Sequence, residues 1–181
     1  MLNEDYKPLN ISFDLIDFEY TVNNDWATDA FGNESEMKAK LRRGTYADLN
    51  LYIISDFEES QQEEITTIGW CRLPSNESSD ESILSLDGCL VHAGALPGGY
   101  ILERNLGKTA THEIGHWFGL LHVFHGESCT GDGDLVSDTN QQSERSWGCP
   151  LQQDSCPAAK GLDNVDNYMD YSDDVWCVDA L

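Results

Sequence analysis

Positive charge is scarce in this sequence: 10 Lys and Arg stand against 33 Asp and Glu in 181 residues, a formal net charge of -23. Phosphate backbones and anionic membrane surfaces are held by clustered Lys and Arg, so both are excluded as partners. No uninterrupted apolar run approaches the roughly 18 residues of a membrane-spanning helix, so membrane insertion is excluded as well. None of the six cysteines forms a C-x-x-C pair, which removes zinc ribbons and thioredoxin-like redox motifs. The glycine-rich stretch 93–100 (AGALPGGY) is followed by no G-K-[ST], so it reads as a turn and not as a phosphate cradle. No internal repeat is visible.

Apolar residues make up 40% of the chain and aromatics 10%, enough for one domain of this length to bury a core. Cys71, Cys89, Cys129, Cys149, Cys156 and Cys177 are even in number and lie largely in loop-like sequence. That usage points to three disulfides and an oxidising compartment. N-x-S sequons at Asn10, Asn33 and Asn76 agree with it. The opening MLNEDYKPLN, by contrast, contains no apolar signal segment.

Alternating apolar residues at Ile11, Phe13 and Leu15, and again at Phe18, Tyr20 and Val22 after a phase slip, predict a half-buried strand with a bulge. Residues 35–43 (SEMKAKLRR) predict a helix stopped at Gly44. Strands are expected over 49–54, 67–73 and 86–92, with a polar loop at 74–82. A further helix is expected over about 106–118. The 59 residues after His122 are loop-like and carry 12 acids against Arg145 and Lys160. The expected class is α+β, regular in its first half and cysteine-stapled in its second.

The informative stretch is His112-Glu113-Ile114-Gly115-His116-Trp117-Phe118-Gly119-Leu120-Leu121-His122. Positions i and i+4 share one helix face, so His112 and His116 can direct both imidazoles at one ion. Glu113 adjoins the first ligand and can reach a water on the metal without entering the coordination shell. Gly119 permits the left-handed turn that ends the helix and returns His122 as third ligand. Three neutral imidazoles leave a fourth position open, the mark of a catalytic rather than a structural zinc. His92, in a predicted strand, and His125, just after the motif, read as structural histidines.

The extended H-E-x-x-H-x-x-G-x-x-H pattern resembles the metzincin clan of zinc endopeptidases. HEIGHWFGLLHVF, GDGDLVSDT, GCP, DSCP and NYMDYSDD together resemble its pappalysin branch, especially the secreted fungal and microbial members. The resemblance continues upstream through LNISF, EMKAKLRRGTYADLNLY and NLGKTATHE. It implies a zincin/metzincin-like twisted mixed sheet packed on an active-site helix, with zinc in a cleft between an upper part (about 1–122) and a lower part (about 123–181). Residues 1–181 are then one catalytic domain lacking the leader, pro-segment and first strand, and the C-terminal helix, that such enzymes carry.

The same resemblance implies Met169 in a methionine turn 47 residues after His122, and Tyr171 as a stabiliser of the oxyanion. It implies the disulfides Cys129–Cys156 and Cys149–Cys177, and with them Cys71–Cys89; the residues alone leave three pairings open for the last four cysteines. It also implies calcium in the loop after the third histidine, where Asp132, Asp134, Asp138 and Thr139 offer hard oxygen ligands. Taken alone, that loop reads as a solvated acidic surface. The implied function is a secreted endopeptidase that hydrolyses peptide bonds through a zinc-bound water, with Glu113 as general base. Its protein or peptide substrates would lie extended along an edge strand. An acid after Met169, Asp173 or Asp174, would favour basic side chains. The alternative is a zinc-binding extracellular module of the same fold with little or no proteolytic activity.

Overall fold

The structure is a computed structural model in which residues 1–57, 67–76 and 80–174 are described. The elements run α1 (Leu2–Asp5), a 3-10 turn (Lys7–Leu9), α2 (Asn24–Thr28), α3 (Ala30–Leu41), β1 (Leu51–Ile54), β2 (Gly69–Cys71), α4 (Glu81–Leu84) and β3 (Cys89–His92). Two 3-10 turns (Ala93–Ala95 and Leu102–Arg104) then lead to α5 (Lys108–Trp117). Among the described residues the strands form one mixed sheet of order β1-β3-β2. β1 runs parallel to β3 with Leu51 opposite Cys89, and β2 runs antiparallel to β3 with Gly69 opposite Val91. β3 is buried along its whole length, as a central strand covered on both faces must be.

One core cluster joins Trp26, Ala30 and Met37 of α2 and α3 to Tyr52, Ile54, Phe57 and Leu90 of the sheet. α3 starts five residues before the predicted helix because Asp29 caps it, accepting from the Gly32 amide at 3.2 Å. Lys38 on this helix is wholly buried, yet its ammonium is satisfied. It lies 2.9 Å from Glu34 and donates to the Leu86 and Gly88 carbonyls at 2.9 and 2.7 Å. Those contacts tie α3 to the turn before β3.

The predicted strands at 49–54, 67–73 and 86–92 appear in shortened form, but the strand at 11–22 does not. Phe13 docks on α1, its amide donating to Asn3 Oδ1 at 2.7 Å, while Leu15 is 84% and Tyr20 90% exposed. Alternation prepares one face for burial, but a strand also needs a neighbour to take up its amides and carbonyls. No described strand lies beside this segment.

The disulfides are in part as the resemblance implied. Cys71–Cys89 bridges directly opposed residues of β2 and β3, and Cys129–Cys156 staples the loop-rich half. Cys149 is disulfide-bonded, and its expected partner Cys177 lies outside the described residues.

Candidate metal centre and cleft

α5 carries the centre, packed against β2 and β3. Gly107, at the cap position just before the helix, has no side chain to cap the free amides. That role falls to Asp174, whose Oδ2 accepts from Leu106 N at 3.0 Å and Lys108 N at 3.2 Å. The helix ends where Gly119, at φ +95°, enters the left-handed region. Its amide donates to His116 O at 2.8 Å and Leu120 N to Gly115 O at 2.9 Å, a terminus that turns the chain back toward the helix.

This reversal brings His122 beside His112 and His116. The three Nε2 atoms are 3.0–3.1 Å apart. Two of the three other ring nitrogens face carbonyl acceptors: His112 Nδ1 donates to Tyr168 O at 2.6 Å and His116 Nδ1 to Leu120 O at 2.8 Å. A proton on Nδ1 leaves the Nε2 lone pair free. Three converging lone pairs at this spacing repel one another unless a cation sits among them. An ion about 2.0–2.1 Å from each nitrogen fits the triangle, so the donor set suits zinc. Burial, with the neighbouring imidazoles adding to it, lowers His112 to about 3 and His122 to about 4. Both rings are therefore neutral, as ligands must be.

Glu113 is buried against Gly69 of β2, and burial pushes its carboxyl up to about 8. A methyl group on Gly69 would collide with Glu113 Oε1 and lie 2.7 Å from Cδ and 2.8 Å from Cγ. The missing side chain at Gly69 is thus the space that Glu113 occupies. Gly115 does the same for Met169, whose sulfur rests where a side chain at Gly115 would be.

Met169 is buried with Val123 and Phe124, and Tyr171 packs against this cluster. Its turn is internally bonded, Met169 N to Asn167 Oδ1 and Asp170 N to Asn167 O, both at 2.9 Å. The Tyr171 ring lies 4.9 Å from the His122 ring and 5.6 Å from that of His112. Burial raises the Tyr171 hydroxyl above its ordinary range, so it remains a proton donor.

Sequence reasoning missed Arg104. Its guanidinium donates to the carbonyls of Ser172 and, at 2.6 Å, Tyr171, and pairs with Asp173 at 3.3 Å. The segment after Met169 is therefore clamped to the turn before α5. No sequence motif marks such a contact across 67 residues.

The triad opens into a cleft of about 990 Å³, lined on one side by residues 67–73, which include β2, and on another by Tyr168 and Asp170 to Asp174. A family model described as peptidase M43, pregnancy-associated plasma protein-A, matches residues 34–179. The chain belongs to this pappalysin family. It is 50% identical over 174 residues to an extracellular metalloprotease of Pyricularia oryzae and 49% identical over 173 residues to one of Neurospora crassa. These alignments take in 96% of this chain and 58% and 57% of the relatives, so the chain spans a little over half of their length. Among solved structures it resembles Tannerella forsythia mature mirolysin in complex with a cleaved peptide (TM-score 0.63, 26% identity, 82% of this chain and 54% of that one). It also resembles a T. forsythia promirolysin mutant (TM-score 0.65, 25% identity, 83% of this chain and 48% of that one).

Other sequence-predicted residues of this pappalysin chain do not join the triad. His92 Nδ1 accepts from Gly94 N at 2.9 Å, and His125 is not gathered into the triad. Among the described residues, the only group of three His, Cys, Asp or Glu placed to share an ion is the histidine triad. Asp132, Asp134 and Asp138, expected with Thr139 around calcium, are not brought together. Asp134 instead accepts from Val136 N at 3.0 Å within its own turn. Asp173 and Asp174, expected to attract basic substrates, are engaged by Arg104 and by the start of α5.

Proposed function

We propose that this chain is the catalytic part of a secreted zinc-dependent endopeptidase. The carrying observation is the convergence of three Nε2 atoms within 3.1 Å, beside the buried carboxyl of Glu113, in a cleft along a sheet edge. Secretion rests on the paired cysteines and on relatives named as extracellular metalloproteases. Peptide substrates rest on the family and on the peptide complex of mirolysin.

His112, His116 and His122 would hold the zinc. When bound there, it would supply a Lewis acid for the scissile carbonyl and make a water more acidic. Glu113 takes the proton of the attacking water and delivers it to the leaving amine. Its burial favours the protonated form between those two transfers. The Tyr171 hydroxyl, protonated throughout, donates to the oxyanion. Met169 packs with Val123 and Phe124 and fills the space at Gly115 of α5. Substrate lies extended along β2, which is an edge strand among the described residues and pairs on its other side with β3.

The test is Glu113→Gln. The variant should keep one equivalent of zinc and lose cleavage of casein by about 10²–10⁴-fold, the usual weight of a general base. A chelator should abolish wild-type cleavage, and zinc should restore it. Undiminished cleavage by Glu113→Gln would sink this mechanism, and one equivalent of zinc with no cleavage of any peptide would favour a non-catalytic module.

A further inference from the structure

Four Lys or Arg side chains line the cleft among the described residues: Arg72, Arg104, Lys108 and Arg145. Three are neutralised within the protein, Arg72 by Glu34 at 2.6 Å, Arg104 by Asp173 at 3.3 Å and Lys108 by Asp5 at 2.6 Å. Arg145 has no carboxylate partner and donates no hydrogen bond among the described residues. Its guanidinium instead lies over two aromatic faces, 5.6 Å from the Trp147 ring and 6.0 Å from that of Tyr171. Stacking of this kind orients a guanidinium while leaving its N–H edge free.

The loop that carries Arg145 is not loose. Asp170, one residue before Tyr171, accepts from Gln142 Nε2 at 2.9 Å and from Ser146 N at 3.0 Å, and Asp173 N donates to Gly148 O at 2.9 Å. Gln142 and Ser146 flank Arg145 and are fully buried. Arg145 and Trp147 are thus presented by a loop fastened to the methionine turn itself, beside the Tyr171 ring. Trp147 is 65% exposed and presents an apolar wall to the cleft.

We infer that Arg145 and Trp147 form a substrate subsite that selects a carboxylate. The inference rests on the endopeptidase reading and adds a substrate class to it. In a protein of net charge -23, an unspent cleft cation is a local exception that the overall field does not explain. An arriving carboxylate meets a planar, pre-oriented N–H fork, with the indole shielding the contact from water. The carboxylate can come from an Asp or Glu side chain or from the free C-terminus of a short peptide.

The experiment uses the zinc-loaded full chain and quenched-fluorescent peptides built around a bond mapped in a casein digest. Each position, four residues either side of the bond, is set to Glu, Gln or Lys, in C-terminally amidated and free-acid forms. Wild type should prefer Glu over Gln at one position by on the order of ten-fold in kcat/KM, or show a similar preference for the free acid over the amide, which identifies the source. The ratio should fall to about one in Arg145→Met and shift toward Lys in Arg145→Glu. No charge discrimination at any position, or a preference that survives Arg145→Met, overturns the inference. If wild type cleaves nothing, the endopeptidase reading fails by itself. Anisotropy titration of the labelled peptides on zinc-loaded Glu113→Gln then decides the subsite: tighter binding of a carboxylate peptide, lost in the added Arg145→Met, supports it, and equal affinities overturn it.

Discussion

Replacing Gly69 by Ala adds one carbon where Glu113 Cδ and Cγ stand 2.7 and 2.8 Å from the new atom, with Oε1 closer still. Ordinary carbon–carbon contacts are about 3.5–4.0 Å, so the carboxyl must retreat by about 1 Å. It has little room, because Glu113 is only 5% exposed and β2 and α5 hold its neighbours. Gly69 does not lie in the left-handed region, so alanine imposes no backbone strain there. The fold and the three imidazoles should therefore persist while the base moves. A displacement of about 1 Å at a reacting group costs on the order of 10²-fold. The assay is kcat/KM on a quenched peptide, alongside zinc content and melting temperature. The loss should fall mainly in kcat, with zinc retained and the melting temperature little changed. Activity within about three-fold of wild type, with the fold intact, would refute the argument that the space at Gly69 sets the base.

Asp170→Ala should lower stability by about 3–5 kcal/mol, because the Gln142 amide and the Ser146 N–H both lose a buried acceptor; urea unfolding measures it. Burial pushes the Glu34 carboxyl up, but Lys38 and Arg72 more than offset this and hold it below the ordinary range. A depressed folded-state pKa contributes stability above the unfolded value of about 4.3 that is lost as pH falls through the folded one. Glu34→Gln should flatten that acid limb in a pH series of unfolding midpoints, and should cost about 3 kcal/mol at pH 7 by leaving Lys38 unpaired. Removing Cys129–Cys156, which closes a 27-residue separation, should cost about 3.5 kcal/mol on the loop-entropy model, read as a lower urea midpoint.

Three of the candidate site residues were legible because they are local. His112, His116 and His122 fall within eleven residues, and one helix turn plus a left-handed glycine is enough to converge them. The strands 49–54, 67–73 and 86–92 were legible for the same reason, each being a short run of β-formers between turn residues. The segment 11–22 was misread because alternation speaks only for the side chains, while pairing depends on a neighbour that the periodicity does not name.

The sequence by itself determined the composition limits, the helix–turn histidine triad, the carboxylate beside it and the family to which the chain belongs. Tertiary structure alone decided what surrounds the triad. It set the capping of α5 by Asp174, the grip of Arg104 on Tyr171, the glycine spaces filled by Glu113 and Met169, and the unspent charge of Arg145 in the cleft. Contacts within a helix turn follow from backbone geometry, which a local pattern encodes. Contacts across 40 to 70 residues arise only when separate segments pack together, and no spacing rule along the chain records which side chains then meet.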